Sequence, residues 1–195
     1  MNPMKRVVLL GDSIRQGYQN HVKALLKDRV EVCSPAENCR FAGYMLVSMP
    51  AWARECGKPE EISLVHWNSG HWDCAHFDNS DEAYTTVEEY AAWLLRVHKV
   101  IVKNFPNARI VFATTTMVDM AQYPTMPNRR SNDEIRAYNE AATEVMRRLG
   151  VEVNDLARLS SGFPSSYYTD AVHMNDKGNL ALARQVADVI IRYAE

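Results

Sequence analysis

The sequence predicts an α/β domain in which a parallel sheet lies buried between two helical layers. Short apolar runs suited to buried strands recur along the chain, and amphipathic helical patterns fill the intervals between them. Such alternation requires crossover connections, which make a sheet parallel and its connections right-handed. The chain has no internal repeat, low-complexity segment or interior linker. Its 195 residues are enough for one ordinary core, so residues 1–195 are read as a single domain.

The expected strands are 6–10, 30–33, 62–67, 109–113 and a shorter one at 151–154. Val22, Leu25 and Leu26 fall at helical spacing and predict a helix over 21–27. Val87, Tyr90, Leu94, Val97 and Ile101 form one stripe along a longer helix over 81–103. Pro106 stands just beyond the end of that helix. Ser131 and Glu134 are spaced as a capping box, and Gly150 sits where that helix needs a C-terminal cap. A last helix spans 176–193. The irregular stretch 118–130 holds two prolines and the adjacent Arg129 and Arg130, and its length marks it for function.

A formal net charge of −2 with 24% charged residues leaves no basic stripe for nucleic acid and no signature for an anionic membrane. Small neutral or weakly charged ligands are the expected partners. The N-terminal run MNPMKRVVLL is too short for a signal peptide and meets Gly11-Asp12 with no cleavage site, so it reads as the first strand. No apolar segment is long enough to span a bilayer. A cytoplasmic location follows as an expectation, with Cys33, Cys39, Cys56 and Cys74 as reduced thiols.

Ligands of open parallel sheets bind at the carboxyl ends of the strands. At the end of the first strand stands Gly11-Asp12-Ser13, followed by a turn with no phosphate-cradling glycine pattern, so a dinucleotide site is disfavoured. Ser13 is either a helix N-cap or a nucleophile, and a nucleophile needs a base and a partner to hold that base. Asp170 and His173 lie three apart near the last helix. In a turn, the carboxylate can accept from Nδ1 and leave Nε2 free for a hydroxyl.

With these residues in place the chain resembles the SGNH hydrolases, also called GDSL-like esterases, from Gly11-Asp12-Ser13 to Asp170 and His173. The resemblance implies a three-layer α/β/α sandwich of flavodoxin-like type with a central parallel sheet of about five strands. It implies that Ser13 is the nucleophile, His173 the general base and then acid, and Asp170 the group that orients the imidazole. The oxyanion hole it implies combines the Ser13 amide with Gly43, in the stretch Asn38-Cys39-Arg40-Phe41-Ala42-Gly43, and an asparagine side chain. The family's G-x-N-D is absent, and His66-Trp67-Asn68-Ser69-Gly70-His71-Trp72-Asp73 stands there instead. Asn68 is the residue assigned as donor, through a shift in register.

The expected substrate-binding side chains are Asp12, Arg15, Trp67, His71 and Trp72, and Asp73 either caps a turn or meets a sugar hydroxyl. The block around Trp67 and Trp72 looks most similar to bacterial carbohydrate esterases. This implies hydrolysis of short-chain, acetyl esters on a saccharide through a covalent acyl-enzyme, without a cofactor. Activity is then expected to rise as His173 loses its proton and to level off on the alkaline side. A lysophospholipase or acyl-thioesterase with the same triad is the near alternative, and a non-catalytic α/β ligand-binding module the alternative of another class. His66, His71, Cys74 and His76 are zinc-type ligands at spacings that match no common zinc pattern, so no metal is expected. Whether the protein forms a homo-oligomer is left open.

Overall fold

A computed structural model of the chain describes residues 4–125 and 128–194; residues 126 and 127 of the irregular stretch lie outside the described residues. Five strands, β1 (Lys5–Leu10), β2 (Val30–Cys33), β3 (Ile62–Trp67), β4 (Arg109–Ala113) and β5 (Glu152–Asn154), form one parallel sheet in the order β2-β1-β3-β4-β5. The strand order reverses between β1 and β3, where an open α/β sheet leaves a crevice for ligands. Leu10 pairs with Trp67, so the segments after β1 and β3 emerge side by side. Val7 to Leu10 are fully buried because helices cover both faces of the sheet, which is why the strand reads as a continuous apolar run.

On one face α1 (Ser13–Leu26) packs against α6 (Asp176–Ala194). On the other lie α2 (Ala42–Glu55), α3 (Val87–Asn104) and α4 (Asn132–Leu149). A short α5 (Leu156–Ser160) follows β5 and touches α6. The result is the three-layer α/β/α architecture the sequence predicts, with the five strands in their expected places.

The helices differ from expectation at their starts. The first begins at Ser13, because the Asp12 side chain accepts from the Ile14 amide and caps it. The third begins at Val87, where Thr86 and Glu89 form a reciprocal capping box; the chain before it is irregular. Helix α2 was not expected. Gly43 and Pro50 obscure its periodicity, and Pro50 removes one helical hydrogen bond, yet Met45, Met49 and Trp52 still bury one face. The capping box at Ser131 and Glu134 forms as read, and Gly150 closes α4 at φ 65°. The expectation of four reduced thiols is corrected: Cys33 at the end of β2 and Cys56 at the end of α2 form a disulfide with Cα atoms 5.7 Å apart, while Cys39 and Cys74 are free and buried.

Candidate active site

Ser13 opens α1 at the carboxyl end of β1, and capping falls to its neighbour Asp12. The serine hydroxyl is therefore not used as a cap. It meets the ring of His173, with Oγ 2.8 Å from Nε2, and Nδ1 of that ring lies 2.8 Å from Asp170 Oδ2. The local chain builds the Asp170–His173 pair. Asp170 Oδ1 accepts from the amides of Val172 and His173, each at 2.7 Å, and the Thr169 amide donates to the His173 carbonyl. Partial burial works against a charge on Asp170, but the amide and ring of His173 with the Val172 amide outweigh it and hold the carboxyl below its ordinary range.

Ser13, Asp170 and His173 share a cavity of about 340 Å³ with Asn38, His71, Trp72, Phe77, Asn128, Arg130, Ala171 and Val172. A larger groove of about 770 Å³ beside α4 and α5 is lined by neither histidine nor cysteine. The two aromatic walls of the smaller cavity touch each other, the rings of Trp72 and Phe77 lying 5.7 Å apart.

His71 is almost fully buried, with Nε2 3.0 Å from Thr116 Oγ1. Burial, then the Arg130 charge and His173, hold its pKa well below the ordinary value, so this ring is neutral. The turn that presents it depends on Gly70, at φ 150°, where a Cβ would stand 2.0 Å from Thr115 Oγ1. Arg130 is 8% exposed, and its Nε donates to the His71 carbonyl at 3.0 Å. Its loop is stitched to the segment after β3. The His76 amide donates to the Arg129 carbonyl, the Asp78 amide to Asn128 Oδ1, and the Arg129 guanidinium to the Ser80 carbonyl.

The other expected site residues lie elsewhere. Arg15 is fully buried and its guanidinium donates to the carbonyls of Gly11, Pro35 and Glu37 and to Gln19, a clamp between α1 and the segment after β2 that leaves nothing for a ligand. Asp12 is fully buried and does not line the cavity; burial, against the Ile14 amide and Asn68, raises its pKa. Trp67 belongs to the core, edge-on to Phe112 at 4.9 Å. Gly43 lies in the first turn of α2 and is not among the residues that line the cavity. Asn68 extends the pairing of β1 and β3 through its amide, and its side chain lies against Gly11, where a Cβ would stand 2.0 Å from Oδ1. It too is absent from the wall.

Asp73, expected to cap the turn after the strand or to meet a sugar hydroxyl, is buried and serves another element. Its carboxylate accepts from the Ala42 amide at 3.1 Å and from Ser69 Oγ at 2.7 Å, and so caps α2 from across the chain. The four zinc-type residues have separate engagements. His66 meets Asn154, His71 meets Thr116, and His76 bridges the Ser80 carbonyl and Glu134. Cys74 Sγ lies 4.0 Å from the His71 carbonyl.

Asn38, Phe77, Asn128 and Arg130 are wall residues that the sequence did not assign to the site. Residues immediately beyond a strand end are legible as site candidates from the strand itself. These four arrive through long-range stitching of loops, and only the long irregular stretch signalled it.

A profile of the GDSL-like Lipase/Acylhydrolase family matches residues 9–181. No curated protein matches the sequence. Among solved structures, the acetyl xylan esterase AlAXEase is similar with a TM-score of 0.76 at 16% identity, over 95% of this chain and 99% of that one. A lipase/acylhydrolase from Enterococcus faecalis gives 0.72 at 19% identity, over 96% and 95%. Est24, a carbohydrate acetylesterase from Sinorhizobium meliloti, gives 0.72 at 13% identity, over 96% and 99%. At these identities the likeness speaks for the fold.

Proposed function

Because the chain belongs to the GDSL-like lipase/acylhydrolase family and is a carboxylic ester hydrolase, we propose that it cleaves short-chain esters, acetyl foremost, by a triad of Ser13, His173 and Asp170. The observation that carries this reading is the unbroken line from Ser13 Oγ through the His173 ring to Asp170, at 2.8 Å on each side, opening into the cavity.

In the first half-reaction Ser13 Oγ attacks the ester carbonyl carbon as its proton passes to His173 Nε2, and the carbonyl electron pair moves onto oxygen. Collapse of that intermediate re-forms the carbonyl and breaks the bond to the alcohol, which leaves with the proton from His173. Water then repeats the sequence on the acyl-enzyme, giving its proton to His173 and releasing the acid as Ser13 recovers a hydrogen. Asp170 keeps Nδ1 protonated and stabilises the imidazolium formed in each half. The Ser13 amide, at the N-terminus of α1, is one donor to the oxyanion.

An acylated saccharide is the proposed substrate class. Trp72 and Phe77 offer aromatic faces beside Asn38, Asn128 and Arg130, a mixture suited to a sugar ring and its hydroxyls. Two of the similar structures are of an acetyl xylan esterase and a carbohydrate acetylesterase. A cavity of about 340 Å³ leaves little room for a long acyl chain once a sugar is seated. Turnover of p-nitrophenyl esters from acetyl to octanoyl tests the acyl part. A maximum at acetyl, with release of acetate from acetylated oligosaccharides, supports it. A rise toward octanoyl replaces it with a lipid or thioester substrate.

A further inference from the structure

We propose that Asn38 is a catalytic residue: its side-chain Nδ2 donates to the oxyanion, a place that Asn68, absent from the cavity wall, does not fill. The inference rests on the esterase reading and adds a residue to it.

Acyl transfer through a serine needs donors fixed where the carbonyl oxygen gains charge, beside the nucleophile and clear of water. The segment after β3 fails to offer one from an asparagine. Asn68 lies over Gly11 and outside the cavity wall, and Gly70 has no side chain and no space for one. The segment after β2 does offer one. Asn38 lines the cavity with Ser13 and His173. Its neighbour Cys39 donates its amide to the Gly11 carbonyl at 3.0 Å, which anchors this segment two residues from the nucleophile.

The amide group of Asn38 is oriented as well as placed. Oδ1 accepts from the Arg40 amide at 2.7 Å, in a turn that carries Arg40 to φ 54°. That bond requires oxygen at this end of the side chain, so the two hydrogens of Nδ2 occupy the other. Among the described residues Nδ2 has no hydrogen-bond partner. A donor held in this way before substrate arrives needs no reorganisation during the reaction.

Two variants separate the donor from the turn. Asn38→Asp keeps an oxygen for the Arg40 amide but replaces the donor with a negative charge, whereas Asn38→Ala removes both. With p-nitrophenyl acetate, both variants are expected to lose on the order of 10²–10³-fold in kcat with KM within about threefold. Asn38→Asp should also retain the thermal midpoint of the wild type. An Asn38→Asp enzyme that keeps kcat within tenfold overturns the proposal, because a residue needed only for the turn is preserved by that exchange. A fluorophosphonate distinguishes this failure from failure of the esterase reading. If Ser13 in the wild type is labelled while Asn38→Asp retains turnover, Asn38 alone is wrongly placed. If wild-type Ser13 is not labelled and no ester is cleaved, the reading beneath the proposal falls, and the proposal with it.

Discussion

His173 Nε2 lies 2.8 Å from Ser13 Oγ although 160 positions of sequence separate the two residues. Sheet topology makes the meeting. β1 delivers Ser13 to the strand-order reversal, and the loop before α6 brings His173 over it while α6 packs along α1. The third member needs no topology, since Asp170 is held to His173 by their own loop.

Removing the charge of Asp170 while keeping its shape should therefore impair turnover and spare the fold. Asp170→Asn is expected to lower kcat by about 10³–10⁴-fold, because the amide can stabilise the wrong tautomer of His173 and cannot balance an imidazolium. Steady-state kinetics with a short-chain ester, alongside a thermal midpoint within a few degrees of wild type, checks this.

Two buried groups set opposing dependences of stability on pH. Burial lowers the His66 pKa to about 4, below its unfolded value, so the native state binds fewer protons over the interval and loses stability as pH falls from about 6.5 to 4. Burial raises the Asp73 pKa to about 6, against the bond from Ser69 and the Ala42 amide, so its native carboxyl gains stability as pH falls from about 6 to 4. Relative to wild type, His66→Gln should gain up to about 3 kcal/mol on acidification through this window, and Asp73→Asn should lose a similar amount. Urea unfolding at pH 6.5 and 4.5 reads both differences.

The disulfide closes a loop between residues separated by 23 positions. Its reduction should destabilise the protein by about 3 kcal/mol through the entropy returned to the unfolded chain. A thermal midpoint lower by about 6–12 °C with reductant, and no effect of reductant on a Cys33→Ser/Cys56→Ser variant, is the expected pair of results.

The sequence disclosed the sheet because strands covered on both faces must be apolar throughout, as Val7 to Leu10 are. It disclosed the capping box at Ser131 because that device is local. Helix α2 escaped it, since Gly43 and Pro50 disfavour a helix that burial of Met45, Met49 and Trp52 stabilises. Ser13, Asp170 and His173, proposed as the triad, stand out in the sequence as motifs, and His71 and Trp72 as residues of the segment after a strand; the structure brings all five to one cavity. Arg15 and Trp67 misled because a polar or aromatic residue near a strand end looks the same whether it faces a ligand or the core. Arg15 faces carbonyls and Trp67 faces Phe112. Arg130 and Asn128 reach the cavity through bonds to residues more than forty positions away, which no local pattern records.

Everything proposed for the site depends on Ser13 being the nucleophile, and turnover of p-nitrophenyl acetate by the wild type and Ser13→Ala under the same conditions decides it. Activity in the wild type, with kcat reduced by about 10⁴-fold or more in a variant of unchanged thermal midpoint, is the predicted result. Activity that survives the substitution within tenfold would contradict that role and leave Ser13 as the first residue of a helix.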